Sequence, residues 1–273
     1  MITDARVLQP EFIPQEVKHR DAEVNHLSSV LRPILDGQSA DPVFLHGPSG
    51  VGKTCIAQFT VERLRESVVD INHQYVNCWE DHNRFKTLYS LLDGINQTID
   101  IHRQSTPKDL LLDRLRDYDG PPYVVILDEV DQLEDKSLLY ELYRIPRITM
   151  ILITNNEKGL FADVDDRLNS RLTVCTRIHF RPYNHDELVA ILQDRIRWGL
   201  KSDTLGEQDL SRIATNAAGD ARVAIGILRK AARTAQEQRL NDIPEHVIQE
   251  VTPEAKTAIQ QKTVDRLTTA VLT

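Results

Sequence analysis

Gly47-Pro48-Ser49-Gly50-Val51-Gly52-Lys53-Thr54 decides how this 273-residue chain is read. The apolar run Val43-Phe44-Leu45, ending in His46, precedes it, and Ile56, Phe59 and Leu64 follow at helical spacing. Strand, glycine-rich loop and helix are the context that the pattern G-x-x-x-x-G-K-[ST] requires. The glycines let the backbone turn so that several N–H groups face one phosphate, and the new helix adds the positive end of its dipole. Lys53 supplies a point charge for the β- and γ-phosphates, and the Thr54 hydroxyl is a ligand for Mg²⁺. The residues expected around the phosphates are therefore Pro48, Ser49, Gly50, Val51, Gly52, Lys53, Thr54 and Cys55. The chain is expected to bind a nucleoside triphosphate, ATP or its product ADP, together with Mg²⁺.

Composition sets the frame. Apolar residues make up 41% and charged residues 27%, as expected of a globular domain with a proper core. Cys55, Cys78 and Cys175 are far apart and lack metal-ligand spacing, so they read as reduced buried thiols. No apolar run approaches a membrane span, and Met1-Ile2-Thr3-Asp4 has no basic or apolar leader, which predicts a cytoplasmic protein that uses no membrane. The net charge of −8 argues against indiscriminate nucleic-acid binding by the chain as a whole.

Gln9-Pro10-Glu11-Phe12-Ile13-Pro14 reads as an extended lead-in, and a helix is expected from about His19 to Leu35. Strands are expected near Gln74–Asn77, Tyr123–Leu127, Thr149–Ile153 and Arg177–Phe180, with helices near Phe85–Ile99 and Lys108–Tyr118 between them. Thr106 is expected to cap the second of these helices, with Pro107 at its first position. Tyr123-Val124-Val125-Ile126-Leu127 is apolar on both faces, as a buried parallel strand should be. Strands alternating with helices predict a parallel α/β sheet. After Arg181-Pro182-Tyr183 the pattern is helical only, at about 185–198, 207–217, 220–238, 244–250 and 253–270. Asn184 and Glu187 form a candidate capping box at its start. The expected division is an N-terminal linker and helix (1–40), an α/β nucleotide-binding domain (41–182), a helical lid (183–250) and a C-terminal helix (251–273).

Asp128 and Glu129 end the buried strand. Ligands of open α/β sheets lie beyond the carboxyl ends of the strands, so these acids are expected to face the nucleotide. Asp128 would hold Mg²⁺ through water, and Glu129 would orient and activate the attacking water. Asn155 follows the next strand; its amide can serve the γ-phosphate or the attacking water, and the bland alternative is a turn residue. Arg167 and Arg171 lie one helical turn apart, suited to neutralising charge in phosphoryl transfer or simply to pairing with aspartates. Arg222, in Gly219-Asp220-Ala221-Arg222, sits in the first turn of a helix, where a cation opposes the dipole. A γ-phosphate would reward that position and make the helical part a lid.

The order of these elements is that of the AAA+ ATPases. Within them the chain resembles the archaeal replication initiators related to the eukaryotic origin-recognition and cell-division-cycle loaders. The carrying residues are Phe12-Ile13-Pro14 with His19-Arg20-Asp21-Ala22-Glu23, Tyr75-Val76-Asn77-Cys78, Leu127-Asp128-Glu129-Val130-Asp131-Gln132-Leu133, and Gly219-Asp220-Ala221-Arg222. The resemblance covers roughly residues 8–250. It implies that Lys53 and Thr54 belong to the Walker A site, Asp128 and Glu129 to Walker B, Asn155 to sensor 1 and Arg222 to sensor 2. By the same resemblance Arg171 is the arginine finger with Arg167 in reserve, and Ile13, Pro14 and Val17 border the adenine. The implied partners are origin DNA, other initiator subunits (an oligomer on DNA) and the replicative helicase.

Two departures go with it. The family's extra DNA-touching element would fall near Ile99–Lys108, where Ser105-Thr106-Pro107 lacks the expected glycine. Family members also continue into a winged-helix DNA-binding domain, and about 23 residues after Glu250 hold one helix, so that module is expected to be missing, either in a piece of a longer protein or in a short paralogue. The sequence thus predicts an initiator-type ATPase with slow, switch-like hydrolysis. Its alternatives are an ATP-switched regulatory or assembly module that binds no DNA itself, and a clamp-loader-like subunit.

Overall fold

Where the sequence is most apolar and β-branched, the chain forms the middle of a sheet. The computed structural model describes residues 1–67, 70–102, 106–162 and 166–272. Its elements run α1 (Asp21–Val30), β1 (Val43–His46), α2 (Lys53–Ser67), β2 (Asn72–Asn77), α3 (Arg84–Asp93), α4 (Lys108–Arg116), β3 (Tyr123–Asp128), α5 (Ser137–Tyr143) and β4 (Ile148–Thr154). They continue α6 (Glu157–Ala162), α7 (Asp166–Val174), β5 (Thr176–His179), α8 (His185–Gly199), α9 (Glu207–Ala217), α10 (Ala221–Glu237) and α11 (Glu245–Leu272). The five strands form one sheet in the order β2-β3-β4-β1-β5, and every pairing is parallel. β3 and β4 are buried along their whole length, whereas the edge strands β2 and β5 are mostly half-buried or exposed. That contrast is what central and edge positions demand of a sheet covered by helices.

The register brings the strand ends to one edge. Asn77 is opposite Asp128, and His46 is opposite both Thr154 and His179. Chemistry at the carboxyl edge of the sheet is therefore drawn from residues that are distant in sequence. Behind that edge Phe44, Val76, Leu127 and Leu152 join Leu91, Leu112, Leu139 and Leu172 in one apolar core.

The chain divides into two units that interleave along it. One holds Asp21–Gly47 and Ile56–Phe180, the sheet unit; the other holds Met1–Arg20, Pro48–Cys55 and Arg181–Thr273, the helical unit. This differs from the consecutive blocks 1–40, 41–182, 183–250 and 251–273. Within the helical unit, Thr3 N–H donates to Gly199 O at 2.9 Å and Lys201 N–H to Met1 O at 2.9 Å, which ties the first residues to the end of α8. Its core sets Leu8 and Tyr183 among Leu188, Leu192, Ile213, Leu228 and Val247.

Several boundaries depart from expectation for local reasons. The helix expected to reach Leu35 stops at Val30, and Arg32–Asp36 forms a 3₁₀ turn because Pro33 cannot donate to a continuing helix. Thr106 does not cap α4: its hydroxyl accepts from His102 N–H at 3.0 Å, and Pro107 takes the cap position with no side-chain bond. The helices expected at 244–250 and 253–270 are one, α11, running through Pro253. The missing proline N–H costs on the order of 3 kcal/mol, which is offset by burial of Val247, Ile248, Val251 and Ala255. The capping box is as read: Asn184 accepts from Glu187 N–H at 2.9 Å, and the Glu187 carboxylate accepts from Asn184 N–H at 2.8 Å. Among the described residues no helix is long and apolar enough to cross a membrane, and the three cysteines form no disulfide.

Candidate nucleotide site

In the sheet unit the candidate residues stand at the end of β3. Asp128 is 7% exposed, and both of its carboxylate oxygens accept hydrogen bonds. Oδ1 accepts from Glu129 N–H at 2.9 Å, and Oδ2 from the Tyr75 hydroxyl at 3.1 Å. Tyr75 stands on the neighbouring strand, opposite Ile126. Burial, and then the charge of Asp128, pushes the Tyr75 phenol well above its ordinary pKa, so it remains a donor. Glu129 adopts the left-handed conformation, φ 54° and ψ 43°. For a residue with a Cβ this costs about 1–2 kcal/mol, and such strain, held in place by surrounding structure, gathers at functional positions. Val130–Gln132 follows as a 3₁₀ turn, with Gln132 N–H donating to Glu129 O at 2.8 Å.

Asn155 is exposed immediately beyond β4. The same strand's last residue, Thr154, bonds through its hydroxyl to Asp131 and accepts from Asn156 N–H at 3.0 Å. β4 is thereby joined to the turn that carries Glu129. Arg171 is exposed on α7, its guanidinium 5.5 Å from the Tyr143 ring centre. The side chain of Arg167 lies outside the described residues, as do Arg103–Ser105, three of the ten residues considered for DNA contact.

In the helical unit Pro48–Cys55 turns on two residues that need φ above zero, Gly50 (φ 74°) and Gly52 (φ 91°). Lys53 is buried, and its ammonium donates to Pro48 O at 2.6 Å, closing the loop on itself. Thr54 and Cys55 are half-buried at the start of α2, and burial raises the Cys55 thiol to about 11, so it stays protonated. Ala221 N–H, in the first turn of α10, donates to Gly50 O at 3.0 Å. Asp220 caps α10, its Oδ1 accepting from Arg222 N–H at 2.8 Å and Val223 N–H at 3.1 Å. The Arg222 guanidinium reaches the Ser49 hydroxyl, while its Nε is buried without a partner. That orphaned donor, beside a loop with no Cβ at its turns, fits a site for an anion.

A methyl at Gly50 would fall 1.9 Å from the Asp220 carboxylate. The carboxylate cannot move aside without giving up its cap. Gly50→Ala is therefore expected to lose about 2–4 kcal/mol, from a left-handed Cβ and a broken N-cap. Urea unfolding measures it, and a loss under about 0.5 kcal/mol, the size of an ordinary surface change, would contradict the packing described.

The segment carrying Ile13, Pro14 and Val17 is held by a residue that the sequence did not single out. Arg195, 6% exposed on α8, donates to Val7 O at 2.8 Å and Phe12 O at 3.0 Å, and lies 4.9 Å from the Phe12 ring centre. Ile13 is exposed, and Pro14 and Val17 are half-buried. Removal of Arg195 strands two carbonyls and the ring. Arg195→Ala should cost roughly 2–4 kcal/mol and speed proteolysis within residues 1–18.

The comparisons bear on the whole arrangement. The family model described as the Cdc6 AAA+ ATPase-type lid domain matches residues 189–252, and one described as an AAA domain matches 36–161. The chain is 68% identical to ORC1-type DNA replication protein 1 of Halobacterium salinarum, over 98% of this chain and 87% of that protein. The chain belongs to the ORC1-type DNA replication proteins. A second member from the same organism, ORC1-type DNA replication protein 9, is 52% identical over 98% of this chain and 75% of its own length. Among solved structures, the Aeropyrum pernix ORC1 protein in complex with DNA superposes with a TM-score of 0.81 at 26% identity, over 97% of this chain and 72% of that one. Cdc6p from Pyrobaculum aerophilum gives 0.83 at 23% identity, over 93% and 72%, a likeness of fold. The ORC1-type chain is thus an AAA+ ATPase of the replication-initiator family, with a parallel sheet and a helical lid.

Proposed function

We propose that this initiator binds ATP with Mg²⁺ on the loop Pro48–Cys55 and hydrolyses it slowly, as a switch rather than a motor. The observation that carries this reading is Asp128 and Glu129 at the end of β3, on the same sheet edge where β1 ends and runs directly into the loop. Lys53 neutralises the β- and γ-phosphates, and Thr54 and Asp128 are the ligands that fit Mg²⁺, which neutralises phosphate charge when bound. Glu129 takes a proton from the attacking water, and Asn155 orients that water. Arg222, with its unpartnered Nε, answers to the γ-phosphate from the lid. Arg171 serves a neighbouring subunit's nucleotide, and Ile13, Pro14 and Val17 border the adenine. The protein acts in the cytoplasm on origin DNA, with other initiator subunits or the replicative helicase.

The test is anisotropy of a labelled duplex with ATP and with ADP, across a salt series and with origin-like and random sequences, beside a steady-state phosphate-release assay. A salt slope of several charges and a preference for one sequence supports the initiator reading. Turnover without DNA binding at low salt would mean an ATP-switched assembly module, and no ATP binding would end both readings.

A further inference from the structure

Arg20 lies at the junction of three segments of the helical unit and is 1% exposed. One of its terminal nitrogens donates to Val51 O at 3.0 Å and to Arg181 O at 2.6 Å. Its guanidinium carbon stands 4.1 Å from the centre of the Tyr183 ring. The hydroxyl of Tyr183 in turn faces Gly52, 2.6 Å from where a Cβ would project. A buried cation with this many partners is costly to arrange, and one of them is the backbone of the loop Pro48–Cys55.

The peptide group is planar and trans, so its C=O and its N–H point in opposite directions. A donor fixed on Val51 C=O therefore also aims Gly52 N–H away from Arg20, toward the other side of the loop. The bond from Ala221 N–H to Gly50 O does the same for Val51 N–H. Two successive N–H groups thus each have their direction fixed by a bond to the carbonyl of the same peptide. An anion nest needs successive N–H groups converging on one point, and alignment before binding removes the cost of ordering them.

We propose that Arg20 is a positioning residue for the phosphate loop, setting the Val51–Gly52 peptide from behind so that its N–H faces the β-phosphate of the bound nucleotide. The proposal rests on the nucleotide reading above. Arg20 acts through the loop backbone and need not touch the nucleotide. The same guanidinium nitrogen joins the loop to Arg181.

The experiment compares ADP, ATP and AMP affinities of the wild type, Arg20→Met and Arg20→Lys by calorimetry. Arg20→Met should bind ADP and ATP roughly 10–100-fold more weakly, the worth of one or two donors to a charged group, with AMP little changed. Arg20→Lys, which keeps the charge but loses the planar guanidinium that stands over the Tyr183 ring, should fall between. Equal weakening for all three nucleotides means general loosening and overturns the proposal, as does ADP affinity within about twofold of wild type, inside the scatter of ordinary surface changes. If the variants fail to fold, amide spectra of the wild type decide: on adding ADP the Gly52 N–H should shift as strongly as that of Lys53, and an unmoved Gly52 overturns the proposal. Absence of ADP binding by the wild type would instead refute the nucleotide reading itself.

Discussion

Glu129→Gln is expected to bind ATP as the wild type does and to turn it over roughly 10²–10³ times more slowly, as loss of a general base would require. The substitution keeps volume, shape and one acceptor oxygen, so the strained backbone at φ 54° and the 3₁₀ turn behind it are untouched. What is lost is the capacity to accept a proton from water. Asp128 keeps its bond from Glu129 N–H, because that donor is main chain. Binding and hydrolysis should therefore separate cleanly in a single-turnover assay. Turnover retained within about threefold, far short of a lost general base, would remove Glu129 from the mechanism and direct attention to Asp131, which Thr154 holds beside it.

Lys53→Ala acts on the other half of the chemistry. Lys53 is 6% exposed, and its ammonium already spans the loop to Pro48 O at 2.6 Å. Truncation removes a charge that phosphate oxygens would share and leaves a carbonyl without its donor. ATP affinity should fall by about 10²-fold or more, the worth of a buried charge-assisted contact. Unfolding without nucleotide should change by about 1.5–3 kcal/mol, the worth of a hydrogen bond to a charged group. Calorimetry of binding and urea unfolding of the free protein separate the two effects, and ATP affinity within about threefold of wild type would refute the role.

The sheet was legible because its physics is local. Tyr123–Leu127 and Thr149–Ile153 are apolar on both faces, which only a central parallel strand satisfies, and both extend by a residue at each end, or at one, without changing type. The loop was legible because Gly50 and Gly52 occupy conformations that few residues tolerate. The long-range partners were not legible. Nothing in the spacing of Arg20, Tyr183 or Arg195 says that each will lie under backbone carbonyls or a glycine contributed by a distant segment. Tyr75 lies within a recognisable motif, yet its bond to Asp128 depends on two strands being neighbours in the sheet. The break expected between 250 and 253 is absent for the opposite reason: the local cost of Pro253 is outweighed by tertiary packing.

The interleaving of the two units bears on how the chain is made. Ribosomes deliver a chain from its N-terminus, and domains fold as units once their residues have emerged. Val43 meets its partners only at Ile151 and Thr176, so the sheet waits for most of the chain. The loop Pro48–Cys55 waits longer, since its bonds come from Ala221 and Arg222. Met1 and Thr3, synthesised first, pair with Lys201 and Gly199. Nascent chains long enough for Phe180 to have left the exit tunnel should thus form the sheet yet retain no nucleotide, and retention should begin only once Arg222 has left it too.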